Sequence, residues 1–131
     1  MLGRLFQYVA VAAALAVMGC RADRSVDPIP DPEGIEFFEN RIRPVLVERC
    51  YKCHSDQFET KRGNLRLDSR DGWLKGGQRG PSIVADEPQK SPLIQAIRWQ
   101  DDDFKMPPDK RLSDEQIADF EAWVKRGAPA K

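Results

Sequence analysis

The sequence predicts a helical fold: one domain of short helices behind an export signal and a proline-rich tether. Three observations carry this. Cys50-Tyr51-Lys52-Cys53-His54 sets two thiols and an imidazole three and four residues apart, a spacing that shares one helix face. Capping residues open apolar stripes near both ends of the domain, at Asp31-Pro32 and at Ser113-Asp114-Glu115-Gln116. Residues 1–32 divide instead into an apolar run and a segment of alternating prolines.

Residues 1–19 read as a lipoprotein signal peptide. Arg4 and the free amine form a short positive region, and the apolar run from Leu5 to Met18 is shorter than the roughly 20 residues of a membrane span. The run ends in Val17-Met18-Gly19-Cys20, which resembles a bacterial lipobox, so Cys20 is the expected lipid-anchor residue. An uncleaved anchor and an ordinary secretory signal with an incidental Cys are the alternatives. Residues 20–32 form the lipid-anchored tether. Pro28, Pro30 and Pro32 favour an extended path, which holds the domain roughly 30–35 Å from the membrane.

Residues 33–131 form the domain. Lys plus Arg and Asp plus Glu both number 21, so the chain has no basic excess to attract nucleic acid. With 32% of residues charged, the polypeptide core is expected to be modest. Phe38, Ile42 and Leu46 give the first helix its buried stripe, and Pro44 is expected to kink or break it near Ile42. The chain then runs into the cysteine motif. Leu65-Arg66-Leu67 is a candidate extended piece, and Ser69 caps a short helix that stops at Gly76-Gly77. Ser91-Pro92 starts another helix, with Leu93, Ile94 and Ile97 on its apolar face. The last helix has the clearest boundaries. Ser113 and Gln116 form a capping box, Ile117, Phe120 and Val124 make the stripe, and Gly127 and Pro129 end it. Trp123 is read as a packing residue, with the first and last helices crossing.

C-x-x-C-H is the attachment pattern for c-type haem. On a helix, Cys50 and Cys53 reach the two vinyl groups of one porphyrin, and His54 offers a ring nitrogen to the iron. Three other readings compete. A structural zinc site needs four ligands, and apart from Cys20 the chain supplies two Cys and one His. A thioredoxin-like redox pair needs a βαβ context, which is absent from the pattern. An inert disulfide or a chance match is the third. The lipobox favours haem, because bacterial haem attachment follows export, and the three Cys then have separate roles.

Met106 is the only Met after the signal peptide, and His54 is the only His. Pro107 and Pro108 stiffen the loop that presents the thioether. A His/Met pair raises the reduction potential of a haem and suits reversible electron transfer. Packing of Met106 into a core gap is the alternative. Asp101-Asp102-Asp103 reads as a solvated loop, a docking patch for a basic partner or a calcium site. Arg98 and Trp99 are candidate donors to a haem propionate.

Several stretches together resemble the cytochrome c-like domain of planctomycete exported proteins, over roughly Glu36 to Ala128. They are Phe37-Phe38-Glu39-Asn40-Arg41-Ile42-Arg43-Pro44, the Cys50–His54 motif, Leu65-Arg66-Leu67-Asp68-Ser69-Arg70, Ser91-Pro92-Leu93-Ile94, Lys105-Met106-Pro107-Pro108 and Trp123-Val124-Lys125-Arg126-Gly127-Ala128. The resemblance implies an all-α cytochrome c fold around one covalent haem c. In it Cys50 and Cys53 are thioether sites, and His54 and Met106 are the axial ligands. The expected function is a mono-haem carrier of single electrons, not an enzyme, anchored by Cys20 and facing the periplasm or an equivalent space. Its expected partners are redox proteins and the membrane. The alternative is a haem-based sensor or redox-gated binding module in which Met106 leaves the iron. A peroxidase-like enzyme fits least, because the chain offers no second His for an open distal site.

Overall fold

Asp31 starts the first helix in the computed structural model, which describes residues 31–57 and 62–131. The expected signal peptide, Cys20 and the tether up to residue 30 lie outside the described residues. Asp31 accepts from the Gly34 amide at 2.9 Å, and Pro32 occupies the first position of α1 (Pro32–Phe37). Asp31 and Pro32, at the end of the expected tether, therefore already belong to the folded part.

Pro44 neither breaks the helix nor sharply ends it. The chain passes from α1 into a π-helical stretch, Phe38–Ile42, and on into α2 (Arg43–Arg49), with Pro44 in the first turn of α2. There a proline's missing N–H costs no bond, and the wider turn before it absorbs the ring. The stripe survives: Phe38, Ile42 and Leu46 are all buried.

After α2 come α3 (Tyr51–His54), α4 (Arg70–Lys75), α5 (Pro92–Arg98) and α6 (Asp114–Lys125). No strand occurs among the described residues, in keeping with the all-α expectation. Leu65-Arg66-Leu67 belongs to no regular element, and only Leu67 N–H reaches back to His54 O, at 2.7 Å. Ser69 caps α4 as expected, and Gly76 ends it at φ 72°, ψ −164°. A side chain at Gly76 would meet the Gly80 carbonyl, so only glycine fits there.

Ser91 departs from its expected role. It precedes α5, but its side chain makes no cap to that helix. The hydroxyl instead accepts from Val84 N–H at 2.9 Å and lies 3.2 Å from Val84 O and 3.1 Å from Glu87 O. Fully buried, Ser91 ties the preceding loop to the start of α5.

Both ends of α6 follow the sequence reading. Ser113 Oγ accepts from Gln116 N–H at 3.1 Å, and the Gln116 side chain accepts from Ser113 N–H at 3.0 Å. At the other end Gly127 N–H bonds Val124 O and Ala128 N–H bonds Trp123 O, both at 3.0 Å, which is the Schellman pattern. Replacing Ser113 by Ala is expected to destabilise the fold by about 1 kcal/mol, read as a lower denaturant midpoint at unchanged slope.

The core lies where α6 crosses the π-helical stretch. Phe38, Trp73, Phe120 and Trp123 form one aromatic group, with Trp123 5.4 Å from Phe38 and 5.3 Å edge-on to Trp73 between ring centroids. Around it run Ile42, Leu46, Leu67, Ile83, Ile94, Ile97, Leu112 and Val124, all buried. This continuous core is larger than the composition led us to expect, because four aromatic side chains pack together at its centre. Trp73 Nε1 is the one buried side-chain polar atom without a partner among the described residues.

Arg126 closes the ring of elements, with Nε 2.6 Å from Asp31 and Nη2 3.0 Å from Glu33. That guanidinium, with the Gly34 amide, holds the Asp31 carboxyl below its ordinary value of 3.8. A depressed carboxylate stabilises the fold fully above the unfolded pKa and loses that contribution as pH falls through the folded one. Unfolding free energy is therefore expected to decline as pH drops below about 4. In Asp31→Asn, which can still cap, this decline should be shallower in denaturation curves measured across that range.

Candidate functional site

The cysteine motif is helical, as its spacing predicts. Cys50 sits at the N-terminal boundary of α3, and its carbonyl accepts from Cys53 N–H at 3.1 Å and His54 N–H at 3.0 Å. That single turn brings Cys50, Cys53 and His54 together. Both cysteines are free thiols. Cys50 is buried in the core, and burial pushes its thiol up to about 12. Such a thiol stays protonated at neutral pH, unlike the activated thiolate of a redox pair. No cluster of three or more His, Cys, Asp or Glu suited to a metal ion occurs among the described residues.

His54 is half-buried, and Nδ1–H donates to Leu65 O at 3.3 Å. Burial pushes the imidazole pKa down, against smaller opposing effects from the Leu65 and Arg62 backbone. At neutral pH the ring is therefore uncharged, with Nδ1 carrying the proton and Nε2 keeping a lone pair. A metal-bound His is commonly held this way, its second nitrogen donating to a carbonyl that fixes tautomer and ring orientation.

Met106 stands on a separate loop after α5, with its side chain 37% exposed. Its amide donates to Ala96 O at 3.1 Å, and its carbonyl accepts from Trp99 Nε1 at 3.1 Å. One side chain ties this loop to the motif. Arg49, immediately before Cys50, donates to Lys110 O at 2.8 Å and lies 3.5 Å from Asp109.

Residues 50–110 match the model of the family described as Planctomycete cytochrome C. The match supports a planctomycete-type cytochrome c-like domain over these residues. The match covers 61 of the 131 residues and runs from Cys50 through Met106, so it includes the thiols, the imidazole and the thioether. No curated protein and no solved structure matches the chain.

A cytochrome c domain implies haem c binding and points to electron transfer. The residues of this planctomycete-type domain fit that cofactor. Two free thiols three residues apart suit attachment to one porphyrin, and the neighbouring imidazole has its lone pair free and its other nitrogen fixed. The open pocket of about 380 Å³ beside Tyr51 is a different place. Its lining includes Phe38, Arg43, Tyr51, Asp68 and Trp73 but none of the four candidate haem residues.

Arg98 and Trp99, the candidate propionate donors, both have partners within the protein. Arg98 pairs with Glu121 at 2.8 Å and Gln89 at 2.5 Å, and the Trp99 indole is spent on Met106. The acidic run forms its own turn: Asp101 Oδ1 accepts from Asp103 N–H at 2.9 Å, and Asp102 pairs with Lys105. Sequence reasoning missed Leu65, Trp99 and Arg49 as partners of the site. Leu65 acts through a carbonyl, which leaves no trace in residue type. Nothing in the sequence marks Arg49 or Trp99 as partners of the Met106 loop.

Proposed function

We propose that the protein is a mono-haem c-type cytochrome that carries single electrons outside the cytoplasmic membrane, with Cys50 and Cys53 as thioether sites and His54 and Met106 as axial ligands. The fixed, neutral imidazole on the same turn as two free thiols is the observation that carries this reading. A bound haem c supplies reversible one-electron redox chemistry. The polypeptide's share is to hold and tune. Leu65 O orients His54, Cys50 and Cys53 fix the porphyrin to α3, and Met106 contributes a soft sulfur ligand that favours the ferrous form. The chain is a carrier in this reading, with redox proteins as donor and acceptor.

The lipobox-like Val17-Met18-Gly19-Cys20 supports export and anchoring through Cys20 as a lipoprotein facing the periplasm or an equivalent space. No described helix is long and apolar enough to cross a membrane.

Met106→Ala tests the ligand set. The purified ferric protein is expected to show a low-spin, six-coordinate spectrum with a thioether–iron charge-transfer band. The variant should lose that band entirely and acquire rapid carbon monoxide binding in the ferrous state. An unchanged band in the variant rules Met106 out. The exposure of the Met106 side chain favours one second reading, a sensor from which Met106 departs to admit a small ligand. Carbon monoxide binding readily to the ferrous wild type selects that reading.

A further inference from the structure

We propose that Trp99 is a positioning residue for the Met106 thioether, an inference that rests on the His/Met ligation reading. Trp99 is the residue at which α5 ends. It adopts the left-handed conformation, φ 59°, ψ 33°, which is uncommon for any residue but glycine and a genuine outlier for a bulky one. A strained backbone of this kind persists only when its surroundings hold it, and here the indole does the holding. Nε1–H turns onto the loop and donates to Met106 O at 3.1 Å. The Met106 amide in turn donates to Ala96 O, which also accepts from Trp99 N–H at 3.3 Å.

Both backbone polar groups of Met106 thus end on the last turn of α5. That helix is a firm base, since Leu93, Ile94, Ala96 and Ile97 are all buried. The Met106 side chain is 37% exposed, so packing alone fixes it poorly, and its Cα position is set by these two hydrogen bonds. Lys105 covers the indole from the solvent side, its Nζ 5.4 Å from the ring centroid, and is itself paired with Asp102. The acidic run therefore serves the same clamp. Without the indole bond the loop has more backbone freedom, and the thioether leaves the iron more often.

The test is Trp99→Phe in the holoprotein, which keeps an aromatic ring under Lys105, though a smaller one, and removes the N–H donor. The readouts are the intensity of the ferric thioether–iron band, the pH at which it disappears, and the reduction potential, with the thermal midpoint as a fold control. One hydrogen bond's net worth predicts about a two- to tenfold larger Met-dissociated ferric population, and loss of the band at lower pH. A lower thermal midpoint with band and potential unchanged marks a merely structural Trp99 and overturns the proposal. So does a variant indistinguishable from wild type, provided Met106→Ala still abolishes the band. If Met106→Ala leaves the band intact, the ligation reading and this proposal fall together.

Discussion

His54→Ala is expected to abolish the low-spin haem protein while leaving the polypeptide folded. The imidazole is the only one in the chain, so no other imidazole can replace it as the nitrogen ligand. Its ring is half-buried, and its contacts are with loop backbone, Leu65 O at 3.3 Å among them. Losing it therefore costs the fold little and the metal site a great deal. Even removal of an outer-shell partner typically lowers affinity or activity at a metal site by about 10- to 100-fold, and removal of the ligand itself is expected to exceed that. The check is the low-spin haem recovered per polypeptide when wild type and variant are produced beside a haem-maturation system, with far-ultraviolet circular dichroism as the fold control. Equal recovery of six-coordinate protein from His54→Ala contradicts the assignment.

Trp123→Ala is expected to have the largest effect on stability, about 3–5 kcal/mol. Trp123 is 1% exposed, packs against Phe38, Trp73 and Phe120, and donates from Nε1 to Pro129 O at 2.8 Å. Truncation empties the crossing of α6 over the π-helical stretch and leaves the Pro129 carbonyl without its donor. Small domains hold only about 5–15 kcal/mol in total, so this one change removes a large share of the stability. The thermal midpoint should fall by roughly 15–30 °C. Trp123→Phe keeps a smaller ring and loses the donor to Pro129 O, which should cost about 1 kcal/mol beyond the lost ring area. A Trp123→Ala protein that melts within a few degrees of wild type contradicts this account of the core.

The helices were legible because their ends carry local chemistry. Asp31-Pro32, Ser69 and Ser113 with Gln116 each announce a start, and Gly76 and Gly127 each announce a stop. The helical reading of Cys50 to His54 came from spacing alone, and α3 has it. What the sequence hid depends on contacts between distant parts of the chain. Ser91 looks like a cap, but the Val84 loop folded against it takes the hydroxyl. Pro44 looks like a helix breaker, but a π-helical turn accommodates it because Phe38 and Ile42 must both stay in the core. Arg98 and Trp99 looked free to bind a ligand. Arg98 Nε and Nη1 and Trp99 Nε1 donate to Glu121, Gln89 and Met106, which only the folding of α5 against α6 and the Met106 loop brings near.

The candidate site followed the same division. Cys50, Cys53, His54 and Met106 were readable as residue types with a spacing and a count of one. Their supports were not. Leu65 enters through a backbone carbonyl, Trp99 through a left-handed turn, and Arg49 through a bond across 61 positions of chain.

The most direct measurement is the intact mass of the protein purified from an exporting host that matures c-type cytochromes, taken with a titration of its thiols. The account predicts a chain that begins at Cys20, carries its lipid and is heavier by one haem, with Cys50 and Cys53 no longer titratable. A mass equal to the polypeptide alone, with both thiols reactive in the unfolded protein, contradicts it.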